Sequence, residues 1–412
     1  MCFWAFLCIV TLQTLNAQAK NSFNPEFVGS VQFFRQGFPL SGPFLELNSN
    51  DFLELRFDVF SSASPDLYYS VELCDYNWEP VDIDPMDYTE GFLYNSFSAN
   101  SNSINTTVDY VHYRLTIPNS DFSVTQGGNY VLRIFKNDEL TDTLLVQRFV
   151  VYNDWVNVQL QSDKYQSKLS QYYQELTADI DPMRLTANDL SGNIILSVFQ
   201  NNNWNTIKTF SSYSVNHTGL IVFNSPGQIV FNGRNEFRIF DTKSLKHYSE
   251  RINYIEYQPP YYHVFLKPDQ TRGDKQYFTR EDLNGIFYID NSDTDDDDII
   301  DADYVYVHFT LETGYPFPAD IYIDGAFTNW EQSNNYMEFD PQTGSYSKQL
   351  LLKQGLYNYR YIMKEYNIPE FTTDITEGDF YQTINNYVAI VYYKPLGELY
   401  HKPIGITSFT TN

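Results

Sequence analysis

The sequence predicts an all-β protein made of three tandem immunoglobulin-like or early-set β-sandwich domains. Three observations carry this expectation. The 412 residues are 42% hydrophobic and 17% aromatic, with 35 Tyr and 32 Phe, which suits half-buried strands whose rings meet a core on one side and water on the other. Long segments with helical periodicity rich in Ala, Leu, Glu and Lys are missing. One strand pattern also occurs three times, as Gly128-Asn-Tyr-Val-Leu-Arg-Ile-Phe135, Gly233-Arg-Asn-Glu-Phe-Arg-Ile-Phe240 and Gly355-Leu-Tyr-Asn-Tyr-Arg-Tyr-Ile362. The glycines lie 105 and 122 residues apart, and Arg133, Arg238 and Arg360 each fall five positions after one of them. A sandwich domain takes about 100 residues and often begins its penultimate strand with a Tyr that bonds back to the backbone. Tyr130 and Tyr357 fit that place, while the middle copy has Asn235.

In chain order, residues 1–19 read as a secretory signal peptide. The apolar run CFWAFLCIVTL (2–12) precedes Ala17-Gln18-Ala19, a small-residue cleavage site, and is too short to span a membrane. The first sandwich is expected over 20–154. Leu53, Leu55, Phe57 and Val59 alternate inward, Leu67–Leu73 follows, and a polar excursion of roughly 79–108 leads to Tyr110–Ile117. A hairpin closes it, 128–135 and 146–151, turning at Lys136-Asn137-Asp138-Glu139. The middle sandwich is expected over 155–258, ending at Pro259-Pro260, where neither residue can donate to a ladder. A connector, 259–303, carries the acidic run Asp293–Asp298, and the C-terminal early-set-like sandwich is expected over 304–412.

Charge and motifs exclude several function classes. With 26 basic and 52 acidic residues the net charge is −26, contrary to the clustered Lys and Arg that bind nucleic acid. Removal of the leader leaves Cys74 alone, so no internal disulfide is possible and a buried, apolar role is expected for the thiol. Asp293, Asp295 and Asp297 have calcium-loop spacing, but Asp298 stands where the turn needs Gly and Tyr304 where the closing Glu belongs. They read as a solvated linker. His112, His217, His247, His263, His308 and His401 occur singly, without zinc spacing. No nucleophile elbow, P-loop or dinucleotide fingerprint is present. No enzyme activity, metal or cofactor is therefore expected.

Two resemblances add to this. Asp324-Gly-Ala-Phe-Thr-Asn-Trp330, with Gly355-Leu-Tyr-Asn-Tyr-Arg-Tyr361, resembles the early-set domains of glycogen-binding modules. That likeness makes Trp330 a candidate platform for stacking on sugar, although the second Trp of such a platform is missing. Most of the mature chain resembles the type IX secretion system plug proteins of Bacteroidota. The residues that carry this are Ser30-Val31-Gln32, Pro39 to Leu47, Leu53-x-Leu-x-Phe57-Asp58, Cys74-Asp75-x-x-Trp78 and Tyr88-x-x-Gly91-Phe92. They continue through Tyr110-x-His112-Tyr113, Ile117-Pro118-Asn119, Gly128–Leu132, Arg148-Phe149-x-Val151, Asn386–Val388, Tyr392-Tyr393 and Gly397. One departure is Leu73, where the family commonly has His. The resemblance implies a non-enzymatic periplasmic protein, peripheral to the outer membrane. Its partner would be the translocon barrel, whose periplasmic opening it would close. The alternative is an exported carbohydrate-binding protein using Trp330.

Overall fold

The computed structural model describes residues 20–98, 101–136, 142–163, 170–186, 193–294, 298–366, 368 and 370–411. The expected leader, the tip of the hairpin that closes the first sandwich and Asp295–Asp297 lie outside them. The architecture is all-β, with mainly antiparallel sheets packed face to face around three cores. Among the described residues no helix is long and apolar enough to cross a membrane.

The first lobe packs a sheet of Ser22–Phe23, Thr143–Tyr152, Gly128–Lys136, Leu67–Cys74 and Asn95–Phe97 onto one of Val28–Arg35, Leu53–Val59, Val111–Ile117 and Ser101–Asn102. Alternation chooses the faces. Leu53, Leu55, Phe57 and Val59 from one sheet meet Tyr130, Leu132, Ile134 and Phe149 from the other. The hairpin forms with Tyr130 opposite Phe149 and Val131 opposite Arg148. The expected tyrosine corners form as well. The Tyr130 hydroxyl donates to the Gln126 carbonyl at 2.7 Å, and the Tyr357 hydroxyl donates to the Lys353 carbonyl. Each bond ties its strand to the backbone four residues upstream. Tyr130→Phe is expected to lower unfolding free energy by about 1 kcal/mol, the worth of one buried hydrogen bond. Chemical denaturation would read this as a reduced midpoint at unchanged slope.

The pairing departs from the expected domain boundaries at three segments. Arg238–Asp241, from the middle copy of the repeat, pairs with Gly355–Glu365, which contains the third copy, and Arg238 lies opposite Tyr359. The two similar segments are thus neighbours in one sheet and do not mark separate domains. Residues 233–237 before them are not strand. Ile252–Gln258 and Tyr261–Leu266 likewise join the C-terminal lobe through Tyr304–Glu312.

Conversely, Asn386–Tyr393, expected in the C-terminal sandwich, pairs with Ile194–Gln200 and with Lys402–Thr410 to complete the middle lobe. The physical reason is visible in its side chains. Tyr387, Ala389, Val391 and Tyr393 enter the middle core, while Val388, Ile390 and Tyr392 face the first lobe. A strand apolar on both faces belongs in the middle of a stack, and that place exists only where the middle and first lobes meet.

Candidate functional site

The buried polar and aromatic residues of the plug-like motifs gather at two joints where the first lobe meets its neighbours. The joint with the middle lobe starts from Cys74-Asp75-Tyr76-Asn77-Trp78, a strand end that turns sharply. Trp78 sits at φ 66° and its fully buried ring meets Trp204 edge-on at 5.0 Å. Trp204 in turn stacks on Phe199 at 4.5 Å and takes the edge of Phe44 at 5.9 Å. The Arg148 guanidinium lies 4.5 Å over the Trp78 ring, and burial pulls its pKa down to about 10, so it stays charged at neutral pH. Cys74, Val131, Val150, Ile195, Val388 and Ile390 fill the rest.

Polar bonds set the register of this joint. The Tyr392 hydroxyl donates to Asn129 Oδ1 at 3.0 Å, and the Tyr400 hydroxyl to the Gly127 carbonyl at 2.8 Å. Asp75 accepts the His401 backbone N–H at 2.8 Å and faces its Nδ1 at 3.0 Å. Burial works to raise the Asp75 carboxyl, but these bonds from His401 hold it below the ordinary value. Cys74 is free and buried, and burial pushes its thiol up to about 12. It is therefore a packing residue and not a nucleophile.

The joint with the C-terminal lobe is built on charge. Asp58, on the outer face of Leu53–Val59, accepts from Lys353 Nζ at 2.7 Å and from the Tyr304 hydroxyl at 2.7 Å. His112 Nδ1 lies 2.7 Å from its other oxygen. The Asp58 and Lys353 side chains are 1% and 2% exposed. Burial pushes the Asp58 carboxyl up, yet the Lys353 charge and the His112 contact prevail and hold it below the usual carboxylate range. Lys353 also lies 4.0 Å over the Tyr110 ring, and the Tyr110 hydroxyl donates to the Ala302 carbonyl at 2.8 Å. The C-terminal tyrosine corner positions this cation, because Tyr357 bonds the backbone carbonyl of Lys353 itself. The Tyr304 hydroxyl, its proton given to Asp58, accepts from the Ser30 hydroxyl at 2.7 Å, and Asp303 accepts the Thr107 backbone N–H at 3.0 Å.

Other groups that could suggest chemistry are spoken for structurally. Asp269 accepts from Arg238, Arg251, Tyr359 and Tyr361, and Glu377 from Arg238, Arg272 and the Tyr361 backbone. Burial raises the Glu377 carboxyl, but Arg238 and Arg272 together hold it below its ordinary value. That is a neutralised core network and not an acid–base pair. Asp293 accepts from the Ser244 hydroxyl at 2.6 Å and the Leu245 N–H at 2.7 Å, which ties it to the segment after Arg238–Asp241. Among the described residues no group of three or more His, Cys, Asp or Glu could hold a metal ion.

Two histidines that are 45 residues apart in sequence do meet. His263 Nδ1 lies 2.8 Å from His308 Nε2 across parallel strands. Burial and the neighbouring His263 depress His308 to about 4, so it is neutral at physiological pH.

Trp330 is not a sugar platform. The residue is 5% exposed, its ring edge-on to Phe237 at 6.1 Å and beneath the Arg360 guanidinium at 5.8 Å. Gly285 approaches so closely that a Cβ there would fall 2.4 Å from the indole. Its carbonyl accepts from Asn205 Nδ2 at 2.7 Å, which ties the middle and C-terminal lobes together. A stacking platform needs an open ring face, and this one has none.

Residues 28–153 match the family model described as the type 9 secretion system plug protein first domain. The first lobe is similar to that plug-protein domain. The matched stretch spans the first lobe's sandwich apart from the edge strand Ser22–Phe23, and includes Asp58, His112, Trp78 and Arg148 at the two joints. The matched family is one of type IX secretion. The full architecture also has a close counterpart. A hypothetical protein from Parabacteroides merdae, solved by crystallography, superposes with a TM-score of 0.90 at 28% identity, covering 95% of this chain and 99% of that one. A second structure, native alpha-2-macroglobulin from Escherichia coli spanning domains NIE-MG1, gives a TM-score of 0.18 at 9% identity over 49% of this chain and 97% of that one, and carries no argument. No curated protein matches.

Sequence reasoning marked Asp58, Cys74, Trp78, His112, Arg148 and Tyr392 as family features without seeing that they meet other lobes. It missed Lys353 and Trp204 altogether. A signal for Lys353 existed in its position: it directly follows the apolar run Leu350–Leu352, two residues before the repeated Gly355.

Proposed function

We propose that this protein is a non-enzymatic periplasmic plug that binds the outer-membrane barrel of the type IX secretion translocon and closes its periplasmic opening. The observation that carries the reading is the pair of buried joints on the plug domain. A body that blocks a wide opening must not hinge apart under load. Here the plug domain is held to one neighbour by interlocked aromatics and to the other by a desolvated ion pair. The groups at both joints serve packing and neutralisation, which leaves binding as the role they support. The apolar leader is what would deliver the chain to the periplasm.

The test is affinity purification of the tagged mature chain from detergent-solubilised outer membranes. Recovery of the translocon barrel in stoichiometric amount is expected. Purification of the chain without the barrel would sink the reading.

A further inference from the structure

Between Leu67–Cys74 and Val111–Ile117 the plug domain makes an excursion whose base is built and whose tip is apolar. The base comprises the single-turn helix Pro85–Asp87 and the short strands Thr89–Gly91 and Asn95–Phe97. Thr89–Gly91 pairs with Phe122–Val124, Tyr88 enters the lobe's core, and the Asn95 side-chain amide donates to the Phe92 carbonyl at 2.7 Å. Gly91 has φ 114°, and a Cβ there would fall 2.1 Å from the Asp121 carbonyl oxygen. Only glycine allows this approach, and the turn it makes directs the next residues outward. Phe92 is 76% exposed and Met86 87% exposed, with Leu93 and Tyr94 exposed beside them.

The surroundings of this tip restrict what can cover it. Asp82, Asp84, Asp87 and Glu90 are all exposed around it, and no Lys or Arg occurs between Arg56 and Arg114. A carboxylate collar is repelled by an anionic lipid surface. It is equally repelled by a second copy of a chain with net charge −26. An apolar pocket rimmed by Lys and Arg is complementary to both the tip and its collar.

We infer that Phe92, with Leu93, Tyr94 and Met86, is the anchor by which the plug domain seats in a basic-rimmed apolar pocket of its protein partner. This inference rests on the translocon-binding reading and names the surface that does the binding. Phe92 supplies the buried aromatic anchor, and the carboxylates steer its approach.

The experiment titrates the full mature chain against purified, immobilised translocon. Phe92→Ala is expected to weaken binding at least about tenfold, with an unchanged thermal midpoint because the ring is exposed in the free protein. Leu396→Ala, at a site 99% exposed on another lobe, is expected to bind like wild type. The double variant Asp87→Lys and Glu90→Lys is expected to associate more slowly and to lose much of its salt dependence. Equal affinity of Phe92→Ala and wild type would overturn the inference and leave the translocon-binding reading in place. So would binding of wild type, but not of Phe92→Ala, to phosphatidylglycerol vesicles. Failure of wild type to bind translocon at all would overturn both.

Discussion

Lys353→Met is expected to lower the unfolding free energy by about 3–5 kcal/mol. The variant keeps most of the side-chain volume and removes the charge that neutralises Asp58, which remains buried between two lobes. A lone carboxylate in that place has lost its main partner, and the penalty is that of an uncompensated buried charge. Guanidinium titration followed by circular dichroism would measure it. The double variant Asp58→Asn with Lys353→Met is expected to recover a substantial part of the loss, since removing both charges also removes the unpaired one. If the single variant were as stable as wild type, the ion pair would not be holding the joint.

This effect has a defined pH dependence. The Asp58 carboxyl is held below its ordinary value in the folded protein. Its contribution is therefore fully present above the unfolded value of about 3.9 and is lost as pH falls through the lower folded value. In Lys353→Met, burial acts on Asp58 without the opposing lysine, and protonation then relieves the variant's penalty. The stability gap between wild type and variant is accordingly expected to be widest near neutral pH and to narrow as pH falls from the variant's raised Asp58 value toward the wild type's lowered one. A gap that widened on acidification would contradict the arrangement.

Trp78→Ala is expected to cost about 3–5 kcal/mol, the range for truncating a fully buried aromatic. Its ring is lost from between Trp204 and the Arg148 guanidinium, so a cavity opens at the joint and the cation loses its aromatic face. Limited proteolysis is expected to cut between the first and middle lobes sooner in the variant. Backbone conformation adds a second expectation. Residue 78 has φ 66°, which costs about 1–2 kcal/mol for an L-residue and little for glycine. Trp78→Gly should therefore be no less stable than Trp78→Ala, the reverse of the usual order. Thermal melts of the two variants decide this.

Local chemistry made much of the fold legible. Period-two alternation placed Leu53, Leu55, Phe57 and Val59 in a core, and Gly128 with Tyr130 announced a tyrosine corner that the structure contains. The ordered motifs pointed to the plug domain that residues 28–153 match. These readings succeeded because each depends on neighbours within about ten residues. The candidate site was far less legible. Nothing near Asp58 in sequence indicates that its cation is Lys353, 295 positions away. Trp330 had a sugar-site pattern around it, but exposure of an indole depends on what packs over it, here Phe237, Gly285 and Arg360.

What the sequence determined by itself is the class of the protein: strands with their inward faces, the corners that begin two of them, an acidic surface, and a plug-domain signature. Tertiary structure alone decided which sheet receives each strand. Arg238–Asp241 and Asn386–Tyr393 both cross to a lobe other than the expected one. The reason is that Asn386–Tyr393, apolar on both faces, fits the middle of any sheet, while Arg238–Asp241 takes a sheet edge, and hydrogen-bonding edges carry no sequence label. Only the assembled lobes offer the particular edge and the two apolar surfaces that such a strand can bury.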